Sequence, residues 1–204
     1  METVVKIILG VALIPVLFLG IRMAKGQVGR GNLLSIYGLT IVRSILVPAL
    51  LVSIVWYLTA NEMPTIFQLC PSDLMRTIGL IVFVAGMLLR IWAQSTLKQY
   101  WSADISVRID HRLVQEGPYR WFCHPIYLSY WPLALGLLLS TGNILIGSLA
   151  TAYATISILR IRTEESVLAA HFTIEYHEYK SIVRMRWAIL SVGTIILSSC
   201  VGAI

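Results

Sequence analysis

Apolar runs of membrane-crossing length, separated by short polar segments, dominate this chain. A spanning helix needs roughly 20 mostly apolar residues. Such runs cover 4–21, 33–58, 74–96, 126–139 and 144–159, and a last one covers 188–204. Pro15 and Pro48 fall inside two of them, as membrane helices tolerate. Only 13% of the 204 residues are charged and 57% are hydrophobic. Soluble domains carry about 25% charged residues, and half that charge cannot cover a water-soluble globule. Disorder and a disulfide scaffold are excluded by the same composition. The first run is followed by Arg22, Lys25 and Arg30 rather than by a small-residue cleavage site, so it reads as a membrane helix and not a signal peptide. The expected fold is an all-α integral membrane protein with five to six transmembrane helices. Only Ser140-Thr-Gly-Asn143 separates the fourth and fifth runs, which predicts a tight helical hairpin over 126–159.

Lysine and arginine set the orientation. The segment 22–32 holds three of them, 60–73 none, 97–125 four, the hairpin turn none and 160–187 five. That alternation puts the amino terminus outside and both long polar segments, 97–125 and 160–187, on the cytoplasmic side. The net charge of +6 is thus a membrane-topology signal and implies no nucleic-acid partner. The chain divides into two N-terminal membrane helices (1–73), a core (74–187) and a C-terminal hydrophobic helix (188–204). Arg43 and Arg90 lie inside apolar runs and are functional candidates for that reason, although Arg90 could equally snorkel to the interface. No inverted repeat of the transporter kind is present.

The common chemical motifs are missing. There is no GxGxxG, no P-loop and no HExxH. Cys70, Cys123 and Cys200 form no CxxC and no metal-ligand spacing, so no metal is expected. Cys200 is fifth from the end and makes no prenylation box. Ser95-Thr-Leu-Lys98 matches SxxK only by coincidence, at the end of an apolar helix.

Two polar segments remain. In the first, which runs from His111 to Tyr127, Gly117-Pro118 makes a turn and Pro125 suits the first position of a helix. His124 then sits near the N-cap, where exposed N–H groups and the dipole attract an anion. A capping or interfacial histidine is the alternative. Cys123 beside it is not read as a nucleophile, since sequence neighbours rarely point at each other. In the second segment Arg160 and Glu164 stand at i, i+4 on one helix face, followed by Glu165. Leu168, Phe172, Tyr176 and Tyr179 make an apolar stripe with aromatic hydroxyls. A surface ion pair on an amphipathic interfacial helix is the alternative here.

Together the two segments resemble the isoprenylcysteine carboxyl methyltransferase family. Its members read approximately L-V-x-x-G-x-Y-x-x-x-R-H-P-x-Y and then R-x-x-x-E-E-x-x-L-x-x-x-F-G-x-x-Y-x-x-Y. This chain has Leu113-Val114, Gly117, Tyr119, His124-Pro125 and Tyr127, then Arg160, Glu164-Glu165, Leu168, Phe172, Tyr176 and Tyr179. Tyr100-Trp101-Ser102 is similar to the family's N-W-S. The likeness covers roughly residues 75–186. Two departures stand out: Cys123 replaces the arginine before His-Pro, and Thr173 replaces the glycine after Phe172. The run 188–204 is additional to a five-span family core.

The resemblance implies an S-adenosylmethionine-dependent methyltransferase with a cofactor pocket at the cytoplasmic membrane face, releasing S-adenosylhomocysteine. It implies that His124 and Glu165 hold the cofactor's amino-acid end. Leu113, Val114 and Gly117 contact it through backbone, and His111, Tyr119 and Tyr127 complete the pocket. Arg160 and Glu164 match the pair that handles the substrate, and Trp101, Tyr176 and Tyr179 are expected to bind it. The substrate would be lipophilic, entering from the membrane lipids, with a prenylcysteine carboxylate as the family default. A lipid amine or small lipophilic molecule is the alternative acceptor, and a nicotinamide-dependent membrane reductase of similar helical plan is the alternative enzyme.

Overall fold

A computed structural model describes residues 1–11, 33–60, 67–100 and 112–201, without the side chains of 33–41, 43, 99 and 186–201. Within those residues the chain is all helix apart from turns and a single isolated bridge pair, Gln68 with Asn143. A first helix, α1, covers 2–11. It is followed by α2 (Leu33–Thr59), α3 (Asp73–Leu97), α4 (Pro125–Thr141) and α5 (Ile144–Val201). His111, Trp101 and the side chain of Arg43 lie outside the described residues.

Each boundary has a local cause. Ser72 caps α3, its hydroxyl accepting the Met75 N–H at 3.3 Å, and Asp73 adds a negative charge in the first turn. Pro125 opens α4 at a position where its missing N–H costs nothing, with His124 at the N-cap as expected. The predicted hairpin forms. Gly142 closes α4 at φ +64°, its N–H bonded to the Leu138 carbonyl, and Asn143 caps α5 by accepting the Ile146 N–H at 3.1 Å. Pro48 and Pro132 sit inside α2 and α4 without ending them.

The strongest packing joins α3 to α4 through small residues. A Cβ on Gly79 would stand 2.5 Å from the Ser140 nitrogen, and one on Gly136 would stand 2.5 Å from the Phe83 nitrogen. The two backbones can approach only because those side chains are absent, as in membrane helix pairs. Around this contact lies a core of Val5, Leu9, Ile54, Tyr57, Leu80, Phe83, Leu137 and Ile146. The opposite face of α3 is apolar and uncovered: Leu74, Ile78, Ile81, Val84, Leu88 and Ile91 are exposed, Ile81 by 64% and Leu88 by 62%. A continuous exposed apolar stripe suits hydrocarbon and not water. Among the described residues, two helices, Asp73–Leu97 and Ile144–Met185, are long and apolar enough to cross a membrane.

Polar segments gather at two ends. At one end Lys6 bonds the Ala60 carbonyl, Arg76 bonds the Ser140 carbonyl at 3.2 Å, and Leu69 bonds the Gly142 carbonyl. At the other, residues 112–124 meet the segment beyond Arg160. The two basic segments separated by the hairpin are therefore on one end of the bundle.

One feature departs from the expected separate helices. The last run is the continuation of α5, which reaches Val201 with a single interruption at Thr173, φ 32° and ψ −91°. A straight helix would put Lys180 roughly 22 Å along the axis from Glu165. Instead the Lys180 ammonium is 2.7 Å from the Glu165 carboxylate. The helix therefore reverses at Thr173 and lays its second limb back against the first. Positive φ is unfavourable for a β-branched residue. It is also the position where the resembling family carries glycine.

Two expectations follow. Gly136→Leu forces α3 and α4 apart and lowers stability by about 1–3 kcal/mol, read as a lower melting temperature in detergent. Gly10→Ala, where nothing lies within 4 Å of the added carbon, is the neutral control. Thr173→Gly relieves the reversal and stabilises by about 1 kcal/mol in denaturant titrations; a loss of stability there would contradict the strained turn.

Candidate active site

The site is built on the loop before α4 and closed by the reversed limb of α5. Gly117 has φ +56°, and a Cβ on it would stand 2.7 Å from the Thr96 hydroxyl oxygen and 3.2 Å from the Trp92 indole nitrogen. Conformation and space both require glycine there. The turn that follows, Gly117–Arg120, buries Pro118 and Tyr119. It presses the segment onto the last turns of α3 and leads into His124.

His124 does not cap its own helix; the N-cap makes no side-chain bond. Its Nε2 lies 3.3 Å from Glu165 Oε1, across 41 residues, and the histidine side chain is 11% exposed. Lys180 reaches the same carboxylate oxygen. Burial opposes ionisation of Glu165, but hydrogen bonds from Lys180 and His124 outweigh it and hold the carboxyl below its usual range. The result is a partly buried cluster of one acid and two nitrogen groups, accessible from the polar end.

Lys180 escaped the sequence reading. Its only sequence signal is a basic residue beyond a stripe of aromatics, and its partner lies fifteen positions upstream across the reversal. It bears on the Cys123 departure. The Cys123 thiol is packed with Tyr176, Tyr179 and Val183, and burial pushes its pKa up. Lys180 and Arg184 both lie close enough to bias it electrostatically. Where the family pattern has an arginine, this chain has a neutral thiol with cations supplied from the reversed limb. Cys123 and His124 both lie near the Glu165–Lys180 pair, His124 bonded to the carboxylate and Cys123 packed against the aromatic cluster.

The aromatic stripe turns inward rather than lying on a membrane surface. Tyr176 and Tyr179 are 2% and 4% exposed, and Leu168 and Phe172 pack with them against Leu113. Tyr179 donates its hydroxyl to the Tyr119 carbonyl at 2.7 Å and so ties the reversed limb to the Gly117 turn. The Tyr176 hydroxyl is buried and has no protein partner. Tyr119 is pushed far above the ordinary phenol range by burial, with Glu164 adding to it, and stays a neutral wall. Val114 is half-buried beside it.

Toward the bilayer, Glu164 lies close enough to Tyr127, and Arg160 to both Tyr127 and Tyr130, to act on them electrostatically. The Tyr127 ring stands 6.0 Å from His124 and 6.2 Å from Tyr130. Arg160, Glu164, Glu165, His124, Tyr119, Tyr127, Tyr176 and Tyr179 thus come together from two segments. Arg90 does not snorkel: its guanidinium carbon lies 4.8 Å from the Tyr130 ring centre, inside the bundle. Ser95 bonds the Trp92 carbonyl and takes no part.

Tyr179→Phe removes one buried hydroxyl bond and leaves the Tyr119 carbonyl short of a donor. It should cost about 1–2 kcal/mol in thermal unfolding and increase protease cleavage between 174 and 185. Unchanged cleavage would show that the latch does not hold the limb.

Comparison with known proteins fits this geometry. Residues 78–170 match the Isoprenylcysteine carboxyl methyltransferase (ICMT) family. The chain is 32% identical over 116 residues to the protein-S-isoprenylcysteine O-methyltransferase of Saccharomyces cerevisiae, covering 55% of this chain and 48% of that protein. It is 34% identical over 110 residues to the protein of the same name from Xenopus laevis, covering 52% of this chain and 38% of that protein. The matched region thus spans half or less of the length of these curated relatives. Across residues 78–170, which supply most of the site, the chain matches the isoprenylcysteine carboxyl methyltransferase family.

Proposed function

We propose that this chain is a multi-pass membrane enzyme that transfers a methyl group from S-adenosylmethionine to the carboxylate of a prenylcysteine-like, lipophilic acceptor. The carrying observation is the cluster of His124, Glu165 and Lys180 beside the unpartnered Tyr176 hydroxyl. The amino-acid end of the cofactor is a zwitterion, and this cluster is its complement. Glu165 would take the ammonium group, while His124 and Lys180 would take the carboxylate. Tyr176 would supply a hydroxyl to a polar atom of the ligand. Leu113, Val114 and Gly117 would offer backbone, Tyr119 and Tyr127 the walls, and His111 and Trp101 further contacts to cofactor and acceptor.

When bound, the cofactor supplies an electrophilic methyl on a positive sulfur. An ionised carboxylate is already a nucleophile, so no general base is required. The protein's task is to align the two and exclude water. Positive and negative charge cancel as the methyl moves, so a low-dielectric pocket favours the transition state. Arg160 would hold the carboxylate, leaving an attacking lone pair free, and Glu164 would orient the site through Tyr127. The apolar exposed faces suit an acceptor arriving from the bilayer, while the cofactor arrives from water. The lysine and arginine distribution supports a cytoplasmic active face with the amino terminus outside.

The test is a calorimetric titration of the detergent-purified chain with S-adenosylhomocysteine, followed by radiolabelled methyl transfer to a farnesylcysteine analogue. His124→Ala and Glu165→Gln should each weaken binding about tenfold or more. Arg160→Ala should keep binding within about twofold while transfer is lost. Stabilisation by NADPH in place of S-adenosylhomocysteine would overturn the reading in favour of a reductase.

A further inference from the structure

The bundle interior holds a cation that the proposed chemistry has not used. Arg90 projects from α3 into the space bounded by α4 and α5, its guanidinium carbon 4.8 Å from the Tyr130 ring centre. The groups close enough to act on it electrostatically are Tyr130, Tyr153 and Tyr127. One of its terminal nitrogens, Nη1, is buried with no hydrogen-bond partner among the described residues. One turn further along the same helix face, the Gln94 amide nitrogen is buried in the same condition. Both unsatisfied atoms are donors. A buried cation and a buried amide left unpaired are costly, the cation most of all inside a membrane. Such a pair, without an acceptor among the described residues, suits an anion supplied from outside the chain.

The location narrows the choice. The Tyr130 ring also meets the Tyr153 ring edge-on, with centres 5.0 Å apart. Both Arg90 and Arg160 lie close enough to act electrostatically on Tyr130. Tyr127 is its next ring neighbour and faces His124. A line of aromatic rings therefore runs from the His124 cluster toward the arginine, with Glu164 and Arg160 close beside it. Arg90 is contiguous with the reacting end of the site.

We propose that Arg90 and Gln94 form a second anchor for the anionic group of the acceptor, so that its carboxylate is received between Arg90 of α3 and Arg160 of α5. This rests on the methyl-transfer reading above. In the transfer, a carboxylate lone pair forms the new carbon–oxygen bond as the methyl–sulfur bond breaks and its electron pair returns to sulfur. No proton moves. The product ester is neutral and loses its charge-assisted bonds to both arginines, so it is released to the bilayer while unreacted acid is retained. An ammonium head group would meet two guanidinium groups and be repelled, which sets the lipid amine aside as acceptor.

The experiment uses the full chain in detergent, saturated with S-adenosylhomocysteine, titrated separately with N-acetyl-S-farnesylcysteine, its methyl ester and its amide. Wild type should bind the acid about tenfold or more tightly than the two neutral forms. Arg90→Gln should weaken the acid by about ten- to a hundredfold and leave the ester unchanged. Gln94→Leu should do the same by a few-fold, and Arg90→Lys should fall between. S-adenosylhomocysteine affinity should not move in any of them. A merely structural arginine would weaken acid, ester and S-adenosylhomocysteine together, and that result overturns the proposal, as does a variant that keeps the full preference for the acid. If Arg90→Gln does not fold, Gln94→Leu and Arg90→Lys carry the same comparison. Failure of wild type to bind S-adenosylhomocysteine would sink the methyl-transfer reading itself. Normal cofactor binding and Arg160-dependent transfer, with an acid preference indifferent to Arg90, would sink only the second anchor.

Discussion

The reversal of α5 at Thr173 is the constraint on which the site depends. A 58-residue helix left straight would carry its aromatic stripe and its basic residues away from the loop they must cover. Folded back, the same residues bury Tyr176, Tyr179 and Val183 against Leu113 and Cys123 and bring Lys180 onto Glu165. Backbone strain at one threonine is outweighed by this burial, by the Tyr179 latch and by the ion cluster. Strain of that kind persists where the surroundings over-determine it, and here they do so from both limbs.

The second organising fact is the economy of polar groups. In a chain with so few charges, those that are buried are close to others. Glu165 is shared by two nitrogen groups, Glu164 is engaged by Tyr127, and Arg90 is wrapped by tyrosines. The hydroxyls carry the work of solvation that water does elsewhere, at the cost of leaving the Arg90 and Gln94 nitrogens and the Tyr176 hydroxyl unmatched. Among buried polar atoms, the unmatched ones are the most informative, because a well-packed chain seldom tolerates them. Of the four among the described residues, the Arg90, Gln94 and Tyr176 atoms fall where a zwitterionic cofactor and an anionic acceptor would meet the protein, while the Tyr57 hydroxyl lies in the helix core.

Much of the bundle was legible in the chain. The apolar runs announced helices because a 3.6-residue period is not needed where all faces are apolar, and run length alone suffices. Ser140-Thr-Gly-Asn143 announced the hairpin, since Gly142 and Asn143 are the residues that a left-handed cap and an N-cap require. Pro125 announced the start of α4. The alternation of basic segments anticipated that 112–124 and the segment beyond Arg160 share one end. Lys180 was not legible, because its partner is chosen by a reversal whose position is marked here by a threonine instead of a glycine. The direction of Arg90 was not legible either: snorkelling and inward packing differ only by which neighbour offers an aromatic face.

The sequence by itself determined the helices, the hairpin and the residue types available at the polar end, because those follow from local hydrophobicity, capping chemistry and charge placement. Only the tertiary structure decided who meets whom. It turned His124 from a capping candidate into a partner of Glu165, the stripe of Leu168, Phe172, Tyr176 and Tyr179 from a membrane-surface face into a lid over the Gly117 turn, and Arg90 from a snorkelling candidate into a buried cation. The physical reason is range. Capping and hydrophobic runs act within a few residues, whereas the pairings of Arg90 with Tyr130, His124 with Glu165 and Tyr179 with Tyr119 span about 40 to 60 positions and exist only once α3, α4 and both limbs of α5 have packed.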